Sequence, residues 1–425
     1  MTAVAKTTKR TTLYVVLVGV VLRLGLAFFF QDAIKDNLTT RVEIATPVTS
    51  YKRLTEGLYL AQNGVAPYDG GVFHQAPLLL VLFQFARRLP ELFSYLLYTI
   101  VDVVIALELQ KISAVKELLY LNKRKLEAEA KENPNAVEEN WLISALYLFN
   151  PYSVLTSLAR STIVFTNLCV ILAFSTSLRG NKFWSMFWVA MAAYLSFYPI
   201  MLVFPVVMIL AQGSGRSLKA VALSSAPLLV VCLGALLGVS YLLVGSWQFI
   251  PATYGVILFV SDLTPNIGLF WYFFIELFEQ FRSFFLLVFQ FHVFVFALPV
   301  CIRFREHPLF AGTILCGIIG IFKSYPSIGD ASLYLGLLPV YHELFKYMRY
   351  NFLVANLFLY SSALAPIFWH LWIYQGSGNA NFFYAITLVY GVGQIILIID
   401  VTYAMLRREF DLDHPEHRTK LLLQK

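Results

Sequence analysis

Eight polar residues carry most of the chemistry this chain could do: Asp262, Asn266, Lys323, Tyr325, Asp330, His370, Asn379 and Asn381. They are interleaved with Trp247, Trp271, Tyr272, Trp369, Trp372 and Tyr374, and they fall at the ends of long apolar runs. A lysine ammonium can meet a phosphate as a point charge, carboxylates and carboxamides suit hydroxyl groups, and aromatic rings suit sugar faces or acyl chains. Polar groups at membrane depth are costly unless they face protein or a wet cavity. Gathering them on one leaflet therefore predicts a cavity open to lipid. The plainer alternative is that they cap helix ends and satisfy loop backbone.

Bond-making chemistry is harder to find. There is no HExxH, GxSxG or GxxxxGK[ST] sequence, and the seven histidines are dispersed. His74 and His370 read as interfacial hydrogen-bonding residues rather than as bases or metal ligands. Cys169, Cys232, Cys301 and Cys316 all lie inside apolar segments, where a thiol serves as a packing group. No metal or cofactor site is expected. Three charges, Arg23, Asp102 and Asp400, lie within apolar segments; a buried Arg–Asp pair fixing helix packing is the default expectation, a proton pathway the sharper alternative.

The elements that must position these residues are membrane helices. Hydrophobic residues make up 59% of the 425 and charged residues only 13%, where a soluble domain carries about 25% charged residues. Apolar runs near 11–30, 91–110, 141–158, 161–178, 183–198, 200–212, 219–244, 283–302, 308–323, 330–346, 350–373 and 381–406 predict an all-α polytopic protein of about twelve transmembrane helices, with 183–212 readable as one kinked span or two. Asn150-Pro151 predicts a helix break whose freed backbone needs a partner, which favours a cavity wall over plain lipid contact. Between the spans lie a long first loop, 31–90, with a short re-entrant or interfacial helix at 76–86, a charged helix at 111–140, an interfacial loop at 245–282 and a tail at 407–425. No linker divides the chain, so 1–425 reads as one membrane domain.

Sorting Lys and Arg between the two sides puts 22 of the 32 on the side of the N-terminus, the 111–140 segment and the C-terminus. The positive-inside rule then predicts both termini and 111–140 in the cytosol and an even number of spans. The net charge of +7 thus records topology rather than a nucleic-acid partner. In a secretory context the other side is the endoplasmic reticulum (ER) lumen. There the sole sequon, Asn37-Leu38-Thr39, makes Asn37 a glycosylation candidate, although it sits close to the membrane.

Residues 262–274, Asp-Leu-Thr-Pro-Asn-Ile-Gly-Leu-Phe-Trp-Tyr-Phe-Phe, combine a turn with an aromatic block. With Trp247 and Pro251 this stretch resembles phosphatidylinositol-glycan class U (PIG-U), the polytopic subunit of the glycosylphosphatidylinositol (GPI) transamidase. The resemblance recurs at 52–77 (KRLTEGLYLAQNGVAPYDGGVFHQAP), 147–152 (YLFNPY), 322–330 (FKSYPSIGD) and 368–385 (FWHLWIYQGSGNANFFYA). It implies a non-catalytic ER subunit that binds the GPI lipid, and it leaves open whether the substrate's hydrophobic C-terminal attachment signal is bound too. The acyl-forming nucleophile would be the cysteine of a separate caspase-like subunit. Asp262, Asn266, Trp271, Tyr272, Lys323, Tyr325, Asp330, His370, Trp372 and Asn381 would then face the lipid.

The layout also resembles the GT-C glycosyltransferase scaffold, whose dolichol-phosphate-mannose-dependent members carry paired carboxylates in the first luminal loop. The equivalent stretch here, Ala45-Thr46-Pro47-Val48-Thr49-Ser50-Tyr51, has no acid; Glu43 and Glu56 flank it. A scaffold without transferase activity is expected. The rival readings are an active mannosyltransferase of GPI precursor synthesis, with Glu43 as the only stand-in acid, and a transporter, which lacks the matched broken helices of inverted repeats.

Overall fold

The structure is a computed structural model that describes residues 2–121 and 140–415, and every regular element among them is helical. Six helices are long and apolar enough to cross a membrane unaided: Arg10–Phe29, Glu91–Glu117, Leu218–Val244, Glu279–Arg303, Asn351–Ile373 and Ala380–Asp413. The other predicted runs form shorter or interrupted helices, and local chemistry explains each interruption.

Within 141–158 the helix Asn140–Leu148 stops and Pro151–Leu158 starts anew, because Pro151 has no N–H and Asn150 adopts extended backbone. The Asn150 side chain caps the new helix by accepting the Tyr152 N–H at 2.9 Å. Arg23 meets the freed backbone, donating to the Leu148 carbonyl at 2.8 Å while its Nε pairs with Asp102 at 2.9 Å. Tyr147 completes the knot by donating to Asp102 at 3.1 Å. Both charged side chains are about 1% exposed, so the expected Arg–Asp pair is present and it supports the helix break.

Segment 183–212 is two arms rather than one kinked span. Helix Lys182–Ser196 ends at Phe197, whose φ of 62° breaks the hydrogen-bond ladder, and a 3₁₀ turn over Tyr198–Leu202 leads into Val203–Ser214. Leu178 and Gln212 line the same small recess, whereas Tyr198 hydrogen-bonds Ser324. The two arms thus begin and finish at one end of the molecule and reverse near the other. Residues 330–346 are likewise divided, helix Ile328–Leu337 giving way at Leu338 to a 3₁₀ segment that carries Pro339 in its first turn and bends at Tyr341.

Asp400, grouped with Arg23 and Asp102 as a charge within the apolar segments, meets backbone groups. Its carboxylate accepts the backbone N–H groups of Arg349 and Tyr350 at 2.9–3.0 Å, capping the start of helix Asn351–Ile373 from outside. Residues 76–86 do form a short helix, Pro77–Ala86, and the first loop adds two more α-helices, Gln31–Asp36 and Tyr51–Gln62, with a 3₁₀ turn at Leu38–Thr40. Of the charged segment 111–140, the helix Glu91–Leu121 includes the first part; 122–139 lie outside the described residues, as do 416–425 of the tail.

Ion pairs and hydrogen bonds sort the connections into two ends. At one, Arg53 meets Asp262, His74 meets Ala252, Thr162 meets Thr49, and Ile328 meets Glu43. At the other, Lys116 pairs with Glu343, Arg179 with Glu108 and Arg303 with Glu409. The residues singled out for chemistry belong to the first end.

Candidate functional site

Five of the ten candidates build one polar platform. The turn at 262–268 is tied by Asp262 Oδ1 accepting the Thr264 N–H at 2.9 Å and by Asn266 Oδ1 accepting the Gly268 N–H at 2.8 Å. Gly268 is required there, since a Cβ would lie 2.5 Å from the Pro326 ring. Arg53 from the first loop pairs with Asp262 at 2.7 Å, and the Tyr325 hydroxyl donates to the Asp262 carbonyl at 2.8 Å. Burial alone would raise the Asp262 pKa, but Thr264 and Arg53 hold it below the ordinary carboxylate value.

Lys323 and Asp330 close the second turn of the platform. Their side chains meet at 2.6 Å and are 3% and 8% exposed. The other Asp330 oxygen accepts the Ser327 N–H at 2.9 Å in a capping box that starts helix Ile328–Leu337. Lys323 is therefore engaged inside the protein, and the expectation that it offers a charge to a phosphate gives way to an internal ion pair. The two residues are seven apart, and the chain between them turns at Pro326 instead of continuing as a helix, so no regular periodicity announces the pair.

Trp271, Tyr272, Trp372 and Asn381 form a second group. Trp271 is buried, stacks on Trp372 at 6.3 Å and meets the edge of Tyr384 at 5.7 Å. Tyr272 stacks on Tyr384 at 4.5 Å and donates to Asn381. His370 stands apart, exposed beside Tyr374.

Beside both groups lies a cavity of about 550 Å³, within the usual range for a ligand site. Leu26 from the first long helix and Ala33 and Ile34 from the next line one side; Tyr152, Val154, Leu155 and Leu158 come from the helix beyond the Asn150-Pro151 break. Ser361, Ser362, Ala365 and Pro366 of helix Asn351–Ile373, with Ile386, Thr387 and Tyr390 of the last helix, form the facing wall. The small residues of that wall leave the space open. None of the ten candidates lines it; Ile267 and Ile328, neighbours of platform residues, do, and the Trp271 cluster shares Ala365 and Ile386 with it. The helix that starts at Pro151 supplies one wall of the cavity, whereas Asn150 and Pro151 themselves are not among its lining residues.

Sequence reasoning missed the cavity's polar rim. Arg41 and Glu43 both line it, joined by two parallel bonds, Nε–Oε2 at 3.0 Å and Nη2–Oε1 at 2.6 Å. Glu43 is thus committed to Arg41, and the stretch that follows it holds no carboxylate, only a Thr46–Thr49 hydroxyl pair at 2.7 Å. A second, more polar recess of about 540 Å³ is lined by Asp69, His74, Gln248, Ser261 and Asp262 among others. His74 Nδ1 donates to the Ala252 carbonyl at 2.8 Å, and burial lowers the His74 pKa from its ordinary value. All four cysteines are buried and unbridged, and no cluster among the described residues has the makings of a metal site.

A family model described as GPI transamidase subunit PIG-U matches residues 17–390. Similar proteins include the GPI-anchor transamidase component PIGU of Mus musculus, 40% identical over 419 residues, and that of Homo sapiens, 40% identical over 414, each alignment covering 94% of both chains. The GPI transamidase component GAB1 of Saccharomyces cerevisiae is 37% identical over 414 residues, covering 97% of this chain and 98% of that protein.

Proposed function

The chain belongs to the GPI transamidase subunit PIG-U family, and from that premise we propose that it is a non-catalytic, multi-pass subunit of the GPI transamidase that holds the GPI lipid for transfer to proteins in the ER lumen. The observation that carries this reading is the cavity between the first helices and the last two, with apolar walls suited to acyl chains and an Arg–Glu pair at its edge. The platform and the aromatic cluster support it: Asp262, Asn266, Lys323, Tyr325 and Asp330 hold the turns that bring Ile267 and Ile328 to it, while Trp271, Tyr272 and Trp372, with Asn381 bonded to Tyr272, pack with Ala365 and Ile386. Acyl transfer needs an accessible nucleophile; the buried cysteines supply none, which supports a separate caspase-like subunit as the partner that performs it.

Under the same reading the shorter helices complete twelve passes of a GT-C-like scaffold, with both termini cytosolic and the platform lumenal. Protease protection of tags at residues 1, 125 and 425 in sealed microsomes tests the orientation; all three should be digested. Filling the cavity with Ala365→Trp or Leu155→Trp tests the function. Display of a GPI-anchored reporter should fall at least about tenfold, a loss of some 1.4 kcal/mol or more of lipid binding, while co-purification of the other subunits persists. Undiminished display in both variants would remove the cavity from the mechanism. An active mannosyltransferase would instead leave under-mannosylated GPI precursors in a Glu43→Gln/Glu56→Gln cell line.

A further inference from the structure

Arg41 is the one cation among the cavity-lining residues, and its only charged neighbour there is Glu43. Three other cations at this end are engaged elsewhere: Arg53 with Asp262, Arg160 with Glu91 at 2.9 Å, and Lys323 with Asp330. The Arg41 and Glu43 side chains are 21% and 10% exposed, so the pair stands between the void and the outside. Their backbone is pinned: the Glu43 carbonyl accepts the Ile328 N–H at 3.0 Å, and the Ile44 carbonyl accepts the Ser161 hydroxyl at 3.4 Å. The two side chains can part while the chain that bears them stays fixed.

A guanidinium fork fits the two oxygens of a phosphodiester as well as those of a carboxylate. Seating a phosphate on Arg41 would displace Glu43 and leave a mostly buried carboxylate without a counter-charge, which is costly. A lipid whose headgroup carries an amine next to its phosphate removes that cost, because its ammonium can take the place Arg41 held. We propose, resting on the lipid-cavity reading above, that Arg41 and Glu43 form an exchangeable ion pair that selects a phospholipid with an amine-bearing headgroup, phosphate to Arg41 and ammonium to Glu43. A purely anionic phospholipid satisfies Arg41 alone and is disfavoured.

The test uses the assembled, delipidated complex in detergent, with binding measured by native mass spectrometry. The probes share one pair of acyl chains: diacylglycerol, phosphatidylinositol, phosphatidylethanolamine and glucosaminyl-phosphatidylinositol. Wild type should bind at least one of the two amine-bearing lipids roughly tenfold tighter than phosphatidylinositol, the scale of one charge-assisted contact. The stronger of the two identifies whether a bulk lipid or a glycosylated one is the natural occupant. Glu43→Gln should erase the amine preference while keeping or improving phosphatidylinositol binding, and Arg41→Gln should reduce all three phospholipids towards diacylglycerol. Equal binding of phosphatidylinositol and both aminolipids by wild type, or an amine preference that survives Glu43→Gln, overturns the exchange. If Ala365→Trp fails to reduce binding of any probe, diacylglycerol included, the cavity reading itself fails, a separate result.

Discussion

Two ion pairs sit at the same end of this molecule and serve opposite ends of its physics. Lys323–Asp330 is sealed: both side chains are under a tenth exposed, Asp330 also caps a helix, and Gly329 between them is packed against Ile163 and Thr156 so tightly that a Cβ would lie 2.4 Å from the nearest atom. Arg41–Glu43 is more exposed and borders a void of about 550 Å³. Polar groups satisfied from every side build scaffold, whereas those bonded only to each other beside empty space are available to a ligand. Residue type does not separate the two cases; the neighbourhood does.

The comparison breaks most severely at Asp330. Replacing it with Ala strands the Lys323 ammonium, which should cost about 3–5 kcal/mol and abolish both the folded peak in fluorescence-detected chromatography and co-purification with partners. Converting the pair together, Lys323→Met with Asp330→Asn, should restore folding in large part, because no uncompensated charge remains and the Asn oxygen can still cap Ser327. Failure of the double variant to recover would show that the charges matter beyond their mutual compensation.

Gly329→Ala comes next. The added methyl meets Ile163 and Thr156, and overpacking of this kind costs about 1–3 kcal/mol, read as a lowered melting temperature in detergent. Arg41→Gln, by contrast, should lower the melting temperature less than Asp330→Ala, since Glu43 loses its partner beside a void and partly exposed rather than in a sealed site, yet it should impair GPI attachment. A large stability loss from Arg41→Gln would erase the distinction between the two pairs.

His74 sharpens the comparison at the platform's edge. Its folded-state pKa lies below the unfolded value near 6.5, so between the two the unfolded chain binds more protons. Stability is therefore complete above about pH 6.5 and declines as pH falls towards the folded-state pKa. Thermal melts from pH 7.5 to 5.5 should show a modest decline that His74→Gln removes. A His74→Gln profile identical to wild type would show that another group governs the acid side.

Much of this architecture is legible in the sequence. Apolar runs locate the helices, Asn150-Pro151 announces the break, and Arg23 with Asp102 announces a buried pair, because each is a local exception in an apolar context. Lys323 shows where reading by residue type stops. A lysine in a turn at the end of an apolar run suggests an accessible charge, and only the fold reveals that the chain doubles back over Pro326 to present Asp330. The cavity is invisible for a related reason: its walls come from residues 26–44, 152–158 and 361–390 with Ile267 and Ile328, and nothing in any one stretch states that they leave space between them. Asp400 is a third case, a carboxylate whose partners are two backbone N–H groups fifty residues away.

The central claim, that this cavity holds the GPI lipid, is tested most directly by measuring what lipid accompanies the protein. Complexes would be purified with wild-type chain and with Ala365→Trp from cells that accumulate complete GPI, normalised to subunit content, and their extracted lipids quantified by mass spectrometry. Near-stoichiometric GPI with wild type and a loss of at least about tenfold with Ala365→Trp, in complexes of unchanged subunit composition, is the predicted result. Equal GPI in both complexes would contradict the account and place the lipid elsewhere.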